Sequence, residues 1–188
     1  MLYSNNIKNA YNKRISYDNR GMDLEYLINK ACNYYIDKDI AYIYKKPTPI
    51  RVVRTSYSNA GIRITDAFFE LPSTLDFNGL YKGHYIEFDA KKTKSKTSFP
   101  LKNISKHQIE HIKNIDTHGG IVFLIIEINQ EYYCLEGYIL LDFIKNEKRQ
   151  SIPYNYIKDK GYKINMTING LDYIKIVDEI IRRMKWKN

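Results

Sequence analysis

Asp76, Asp89 and Lys91 carry the chemistry that this sequence offers most plainly. In the run His84–Lys91 the residue types alternate, so Ile86, Phe88 and Ala90 share one face of an extended strand, with Glu87, Asp89 and Lys91 on the other. The apolar row marks the side that faces a core, and Asp89 and Lys91 project together from the opposite side. Asp76 lies 13 residues before Asp89. A turn at Lys82-Gly83 folds the strand-like stretch Thr74–Tyr81 back alongside it. Two carboxylates and one ammonium on adjacent strands make a candidate site for a hard divalent cation with a helper lysine. Carboxylate oxygens suit Mg²⁺, which also keeps water and substrate phosphate as ligands. Such an ion makes bound water more acidic and offsets charge building on a phosphoryl oxygen. Lys91 would neutralise charge on the same oxygens or help position the attacking water. A solvated strand face with a Lys–Asp ion pair uses the same residue types and would contribute little to stability. An acid followed by acid-x-Lys is common by chance, so the surroundings matter. Lys92, Lys94, Lys96, Lys102 and Lys106 come directly afterwards, a set suited to holding a phosphate backbone.

The elements that would position these groups belong to one compact domain spanning residues 1–188. With 44% apolar residues the chain can bury a real core, which argues against a disordered regulator. Basic residues exceed acidic ones to give a net charge of +9, which favours a polyanionic partner, nucleic acid or an anionic membrane. The membrane alternative weakens because no run approaches the ~20 apolar residues of a bilayer span and the start lacks an apolar signal core. Cys32 and Cys134 form neither a disulfide framework nor a zinc spacing, and read as reduced, packed cysteines of a cytoplasmic protein. The 18 tyrosines can stack on bases, but many fall at alternating strand positions, as a coding bias would also produce.

Residues 1–16 are polar and basic and read as a flexible N-terminal arm. Asp18 and Asn19 are helix-capping types, and Leu24, Leu27, Ile28, Ala31 and Tyr35 follow with the spacing of one buried helical face. Ile40–Tyr44 alternates as a strand stopped by Pro47 and Pro49. Ile50–Tyr57 and Ile62–Phe69, joined through Asn59-Ala60-Gly61, form an expected hairpin over about residues 50–70. From Ile40 to Thr65 there is no acidic residue against five basic ones, Lys45, Lys46, Arg51, Arg54 and Arg63. Such a hairpin could touch phosphate, or serve as a soluble edge ribbon whose charges deter aggregation. Ser105 opens a helix reaching about Asp116, with Gln108 at the capping-box position and Ile104 and Ile109 as the accompanying staple. Ile121–Ile128 is apolar enough to be covered on both faces. Glu131–Leu135 follows as a strand, Tyr138–Lys145 as a helix, and a terminal helix spans about Leu171–Trp186. The order predicts an α/β fold, a mixed central sheet flanked by helices.

Several stretches, in this order, resemble the RecU family of Holliday-junction resolvases. They are Asn19-Arg20-Gly21-Met22 with Leu24-Glu25, Lys45-Lys46-Pro47-Thr48-Pro49, Ser73 through Gly83, Asp89-Ala90-Lys91, Lys94 through Leu101, and His107-Gln108-Ile109-Glu110-His111. The similarity covers about residues 17–145, with a looser match beyond. It implies a PD-(D/E)XK restriction-endonuclease-like core, a protruding hairpin stalk that enters the junction centre, a homodimer, and cleavage of four-way DNA junctions dependent on Mg²⁺ or Mn²⁺. The family's metal-site residues fall on Thr74, Asp76, Asp89 and Gln108, and its transition-state lysine falls on Lys91. Glu25 matches an acid that the superfamily often brings to the metal. The family usually carries Glu where this chain has Asp89, so the shorter side chain must let the metal move by about a methylene.

Bland readings stand beside these. Gln108 serves the helix cap, Thr74 is a strand threonine, and Glu25 lies off the apolar stripe as a solvated helix residue. His107, His111 and His118 read as surface or DNA-contact residues, since no third ligand is evident for zinc. Arg20, beside the positive end of the first helix, suits a phosphate. Together with Lys46, Arg51, Arg54, Arg63, Lys92, Lys94 and Lys96 it makes up the expected DNA-binding set. The expectation is a structure-selective endonuclease of recombination and repair, with a recombinase as a possible further partner. The alternatives are a non-cleaving DNA-binding protein on the same fold and a nuclease of linear duplex.

Overall fold

A strand that is apolar at nearly every position needs cover on both faces, and Ile121–Ile128 has it. In the computed structural model of the chain, which describes residues 23–185 except Thr48, Ala60 and residues 70–73, this strand lies inside a mixed six-stranded sheet. In chain order the elements are α1 (Leu24–Asp37), β1 (Tyr42–Lys45), β2 (Ile50–Ser58), β3 (Gly61–Phe69), β4 (Phe77–Tyr81), β5 (His84–Lys92) and β6 (Ser98–Pro100). They continue with α2 (Lys106–Thr117), β7 (Ile121–Ile128), β8 (Glu131–Glu136), α3 (Gly137–Asn146), β9 (Ser151–Pro153) and α4 (Tyr154–Lys160). The last are β10 (Tyr162–Ile164), β11 (Met166–Thr167), β12 (Gly170–Leu171) and α5 (Ile174–Lys185).

The sheet order is β1-β4-β5-β7-β8-β10. Only β5 and β7 run parallel, and α2 lies in the crossover between them. On one face α1 and α5 cover Ile43, Phe77, Phe88, Phe123 and Cys134. On the other, α2, α3 and α4 cover Val122, Leu124, Ile126 and Leu135. This is the α/β arrangement of a mixed sheet flanked by helices that the element order predicts.

Helix α1 buries the expected stripe of Leu24, Leu27, Ile28, Ala31 and Tyr35. Its N-cap is Asp23; Asp18, Asn19 and the proposed arm lie outside the described residues. The terminal helix starts at Ile174 rather than Leu171, because Leu171 pairs with Met166 in a short hairpin first. Gly170 turns that hairpin at a φ of 104° so close to α1 that a Cβ there would lie 2.2 Å from the Leu27 carbonyl oxygen. Helix α4 and the β6–β9 pair are additions that the sequence pattern did not reveal. Both cysteines are free and buried. None of the described helices is long and apolar enough to cross a membrane.

The register behind the candidate site is set by aromatic packing. Phe77 pairs with Phe88 and Phe88 with Phe123 across β4, β5 and β7. Their rings stack nearly parallel, with centroids 5.0 and 4.7 Å apart. Tyr173 closes over Phe88 from the helical side at 5.1 Å.

Strands β2 and β3 form a separate two-stranded antiparallel ribbon. Every residue of β2 is exposed, including Val52, Val53 and Tyr57, and Ile62, Ile64 and Phe68 of β3 are exposed as well. Val53 and Thr65 have no opposite number in the register, so the pairing is irregular on both sides of Arg54. Because its side chains bury little, joining Ile50 to Phe69 by a short turn, with the strands between removed, should leave the thermal midpoint of the core within a few degrees of the full chain. A loss of cooperative melting, followed by circular dichroism, would show that the ribbon belongs to the core.

Candidate metal centre

Alternation along β5 turns Phe88 into the core and therefore sends Glu87, Asp89 and Lys91 to the face of the sheet that carries α2. Since Phe77 pairs with Phe88, one further step along the same register brings Asp76 beside Asp89. Asp89 is only 1% exposed. Its Oδ2 accepts hydrogen bonds from Lys91 Nζ at 2.9 Å and Gln108 Nε2 at 2.7 Å. Burial pushes the Asp89 carboxyl up to about 6; Lys91 opposes that shift and the adjoining Asp76 carboxylate reinforces it. The other oxygen, Oδ1, is buried with no hydrogen-bond partner among the described residues.

Gln108 joins the two halves of this site. Ser105 caps α2, and Gln108 completes the capping box by accepting from the Ser105 backbone N–H at 3.2 Å. The same side chain donates from Nε2 to the Thr74 carbonyl oxygen at 2.9 Å as well as to Asp89. The helix cap read from spacing is therefore present, and the residue also holds the bend that precedes β4 against β5.

A second buried carboxylate lies beside the first. Glu87 is 1% exposed and forms an ion pair with Lys46. It also accepts from Tyr85 Oη at 2.7 Å, from His111 Nε2 at 2.9 Å and from Thr74 Oγ1 at 3.4 Å. Lys46 Nζ donates to Thr74 Oγ1 at 2.7 Å. Burial alone would raise the Glu87 carboxyl, but Lys46, Tyr85 and His111 together hold it below the usual carboxylate range. The sequence pattern placed Lys46 among DNA contacts and His111 on the surface or at DNA, and it gave Glu87 no role. The one signal for Glu87 is its strand parity with Asp89 and Lys91.

Other expected site residues have other partners. Glu25 pairs with Lys45 at the end of β1. Lys92, one step out of phase with Lys91, points to the other face and pairs with Glu127 at 2.6 Å. Lys94 and Lys96 are exposed in the loop after β5, and Arg51, Arg54 and Arg63 are exposed on the ribbon. Arg20 lies outside the described residues. His107 Nε2 lies 3.2 Å from Ser105 Oγ, and His118 Nδ1 lies 2.8 Å from the Asn114 carbonyl oxygen.

The donor set fits a hard cation. A buried carboxylate oxygen without a partner, next to a second carboxylate that repels it, is relieved by a divalent charge between them. The donors are oxygens, as Mg²⁺ and Mn²⁺ prefer, and the neighbouring imidazole of His111 is engaged by Glu87. Among the described residues no group of three or more His, Cys, Asp or Glu gathers around one point, so oxygens of other kinds, water included, would complete the coordination.

The sequence profile of a family described as RecU, Recombination protein U, matches residues 19–179. A protein named Holliday junction resolvase RecU from Oenococcus oeni is 43% identical over 176 residues, covering 90% of this chain and 89% of its own. Proteins of that name from Leuconostoc mesenteroides and Bacillus licheniformis are 41% and 43% identical, covering 92% and 89% of this chain and 87% of their own length in both cases. Among solved structures, the Hjc Holliday junction resolvase of Archaeoglobus fulgidus aligns over 70% of this chain and 90% of its own, with a TM-score of 0.40 and 9% identity.

Ionised Asp89 is what a cation requires, so Mn²⁺ affinity should rise as the pH passes upward through about 6 and level off beyond it. Below that value, binding should release a proton. Calorimetry in two buffers of different ionisation enthalpy reads both effects. An affinity independent of pH between about 5 and about 7.5 would remove Asp89 from the ligand set.

Proposed function

The chain belongs to the RecU family, and we propose that it is a structure-selective endodeoxyribonuclease that resolves four-way DNA junctions by paired, metal-dependent phosphodiester hydrolysis. The observation that carries this reading is the buried Asp89 carboxylate, its Oδ1 unpartnered, next to Asp76 and with Lys91 at 2.9 Å. On this reading the described core is a PD-(D/E)XK nuclease core within a single domain, and the β2–β3 ribbon is its stalk.

In this assignment Asp76 and Asp89 hold Mg²⁺ or Mn²⁺ with an oxygen of Thr74, and Gln108, whose Oε1 accepts from Ser105, acts through the Asp89 carboxylate or through water. The bound cation supplies Lewis-acid assistance to the phosphodiester and a more acidic water. Gln108 and Lys91 keep the Asp89 carboxylate in one orientation. Lys91, only 19% exposed, keeps its ammonium beside the position where charge builds on phosphoryl oxygens, in surroundings of reduced dielectric. Glu25 can join through water once DNA displaces Lys45.

DNA contact is assigned to the exposed cations. Arg51, Arg54 and Arg63 on the ribbon, with Lys94 and Lys96 in the loop after β5, would meet phosphate, and Arg20 joins them on the strength of its motif. An isolated two-stranded ribbon is marginally stable in water, which supports a role in which its exposed apolar residues are covered by a partner. A homodimer places two such sites about a two-fold axis, as symmetric cutting of opposed strands requires. The cytoplasm, with a recombinase as a further contact, is the setting this activity implies.

A nicking assay on a mobile synthetic junction with Mg²⁺, and then with Mn²⁺, should give paired nicks, and linear duplex of the same sequence should be cut far less. Asp76→Asn should abolish cleavage while junction affinity stays equal or improves, because a negative charge leaves the phosphate site. Full turnover in that variant would mean the metal site is elsewhere. Tight junction binding without product in either metal would instead favour the non-cleaving reading, which the shorter Asp89 side chain keeps in view. Equal cutting of linear and branched DNA would indicate a duplex nuclease.

Replacing both Arg51 and Arg54 with Ala should weaken junction binding and flatten the slope of log K against log salt by about 1–2. An unchanged slope in fluorescence-anisotropy titrations would return the ribbon to a merely soluble edge.

A further inference from the structure

Both roots of the ribbon meet at one carboxylate. Lys46 lies four residues before β2 begins at Ile50, and Thr74 lies five residues after β3 ends at Phe69. Lys46 Nζ donates to Thr74 Oγ1 at 2.7 Å and pairs with Glu87. The Lys46 backbone N–H donates to the Asp76 carbonyl oxygen at 2.7 Å. One residue on the entering root thus holds the side chain of Thr74 and the main chain of Asp76. Pro47 and Pro49, each with its φ locked by the ring, lie between Lys46 and the ribbon.

Glu87 belongs to the rigid part of this arrangement. It pairs with Val122 in the middle of the sheet, two residues from Asp89 on the same face of β5. Tyr85 and His111 fix its carboxylate from the strand and from α2. A buried ion pair is a poor device for stability alone, since well-packed apolar residues commonly serve as well or better. Its placement between the ribbon roots and the carboxylate pair suggests a different task.

We infer that Glu87 is a positioning residue that fixes the ribbon roots, through Lys46 and Thr74, against the Asp76–Asp89 pair, so that the metal site takes its productive geometry only when the ribbon root is correctly seated. This rests on the nuclease reading above and adds to it a physical link between engagement of branched DNA by the ribbon and cutting. Among the described residues Glu87 is the carboxylate that pairs with the Lys46 ammonium, so an isosteric amide should loosen Lys46, and with it Thr74 and Asp76, with little change in volume.

The test uses the full chain, as Glu87→Gln, Lys46→Met and the double variant, each first checked for cooperative melting. Mn²⁺ affinity of the DNA-free protein is read by electron paramagnetic resonance, and cleavage of junction and linear duplex is read against Mg²⁺ concentration. Glu87→Gln should weaken Mn²⁺ binding several-fold and lower kcat on the junction about 10- to 100-fold, as misplacement by a fraction of an ångström to 1 Å does. The junction-to-linear cleavage ratio should fall several-fold, while KM changes less than about twofold. Lys46→Met should do the same, and the double variant should be no worse than the poorer single one. A wholly structural role would lower the melting midpoint and the active fraction equally at all Mg²⁺ concentrations. Wild-type Mn²⁺ affinity in Glu87→Gln, or an unchanged junction-to-linear ratio, overturns the inference while leaving the nuclease reading intact. Failure of the wild-type chain to cut junctions in either metal removes both.

Discussion

The stacked ring row of Phe77, Phe88 and Phe123 is the constraint on which the site depends. Side chains on a strand alternate between faces, so a slip of one residue in β4 or β5 would exchange every inward and outward group. Burying Phe88 between Phe77 and Phe123 makes such a slip prohibitive, because an aromatic ring would displace the hydrogen-bonded polar groups beneath α2 and a carboxylate would enter the apolar core. Asp89 is thereby turned toward α2, and Asp76 arrives beside it because its neighbour Phe77 is locked opposite Phe88. The apolar side of the sheet thus specifies the geometry of the polar side.

On that polar side two buried carboxylates are treated differently. Glu87 is surrounded by donors, and these hold it ionised despite burial. Asp89 has Lys91 and Gln108 on one oxygen and no hydrogen-bond partner among the described residues on the other; burial, reinforced by the carboxylate of Asp76 and opposed by Lys91, leaves its proton affinity raised. A satisfied carboxylate anchors, whereas an unsatisfied one is ready for a ligand of opposite charge. The difference follows from neighbours on three separate elements: Lys46 after β1, Thr74 and Asp76 before β4, and His111 and Gln108 on α2.

The ribbon has the reverse character. Its strands are regular enough to pair along nearly their whole length, yet they bury almost nothing. What ties them to the molecule is concentrated at their roots, where Lys46 and Thr74 converge on Glu87. A ribbon exposed along its length, with neighbouring residues packed on the core, suits the DNA-contacting part proposed above.

Local pattern was enough to read much of this chain. Alternation in β5 places Asp89 and Lys91 on one face, the helical stripe of α1 is buried as its spacing requires, and the Ser105–Gln108 capping box forms. These features depend on residues a few positions apart, so backbone geometry translates order directly into direction. The hairpin at residues 50–69 was legible for the same reason, since a short turn brings neighbours together. Other features required the folded chain. The burial of Glu87, the inward turn of Lys46 and His111, the pairing of Lys92 with Glu127 away from the site, and the β6–β9 pair all join residues far apart in sequence. Whether a charged side chain meets solvent or a buried partner depends on which distant element packs over it, and no periodicity within its own segment encodes that.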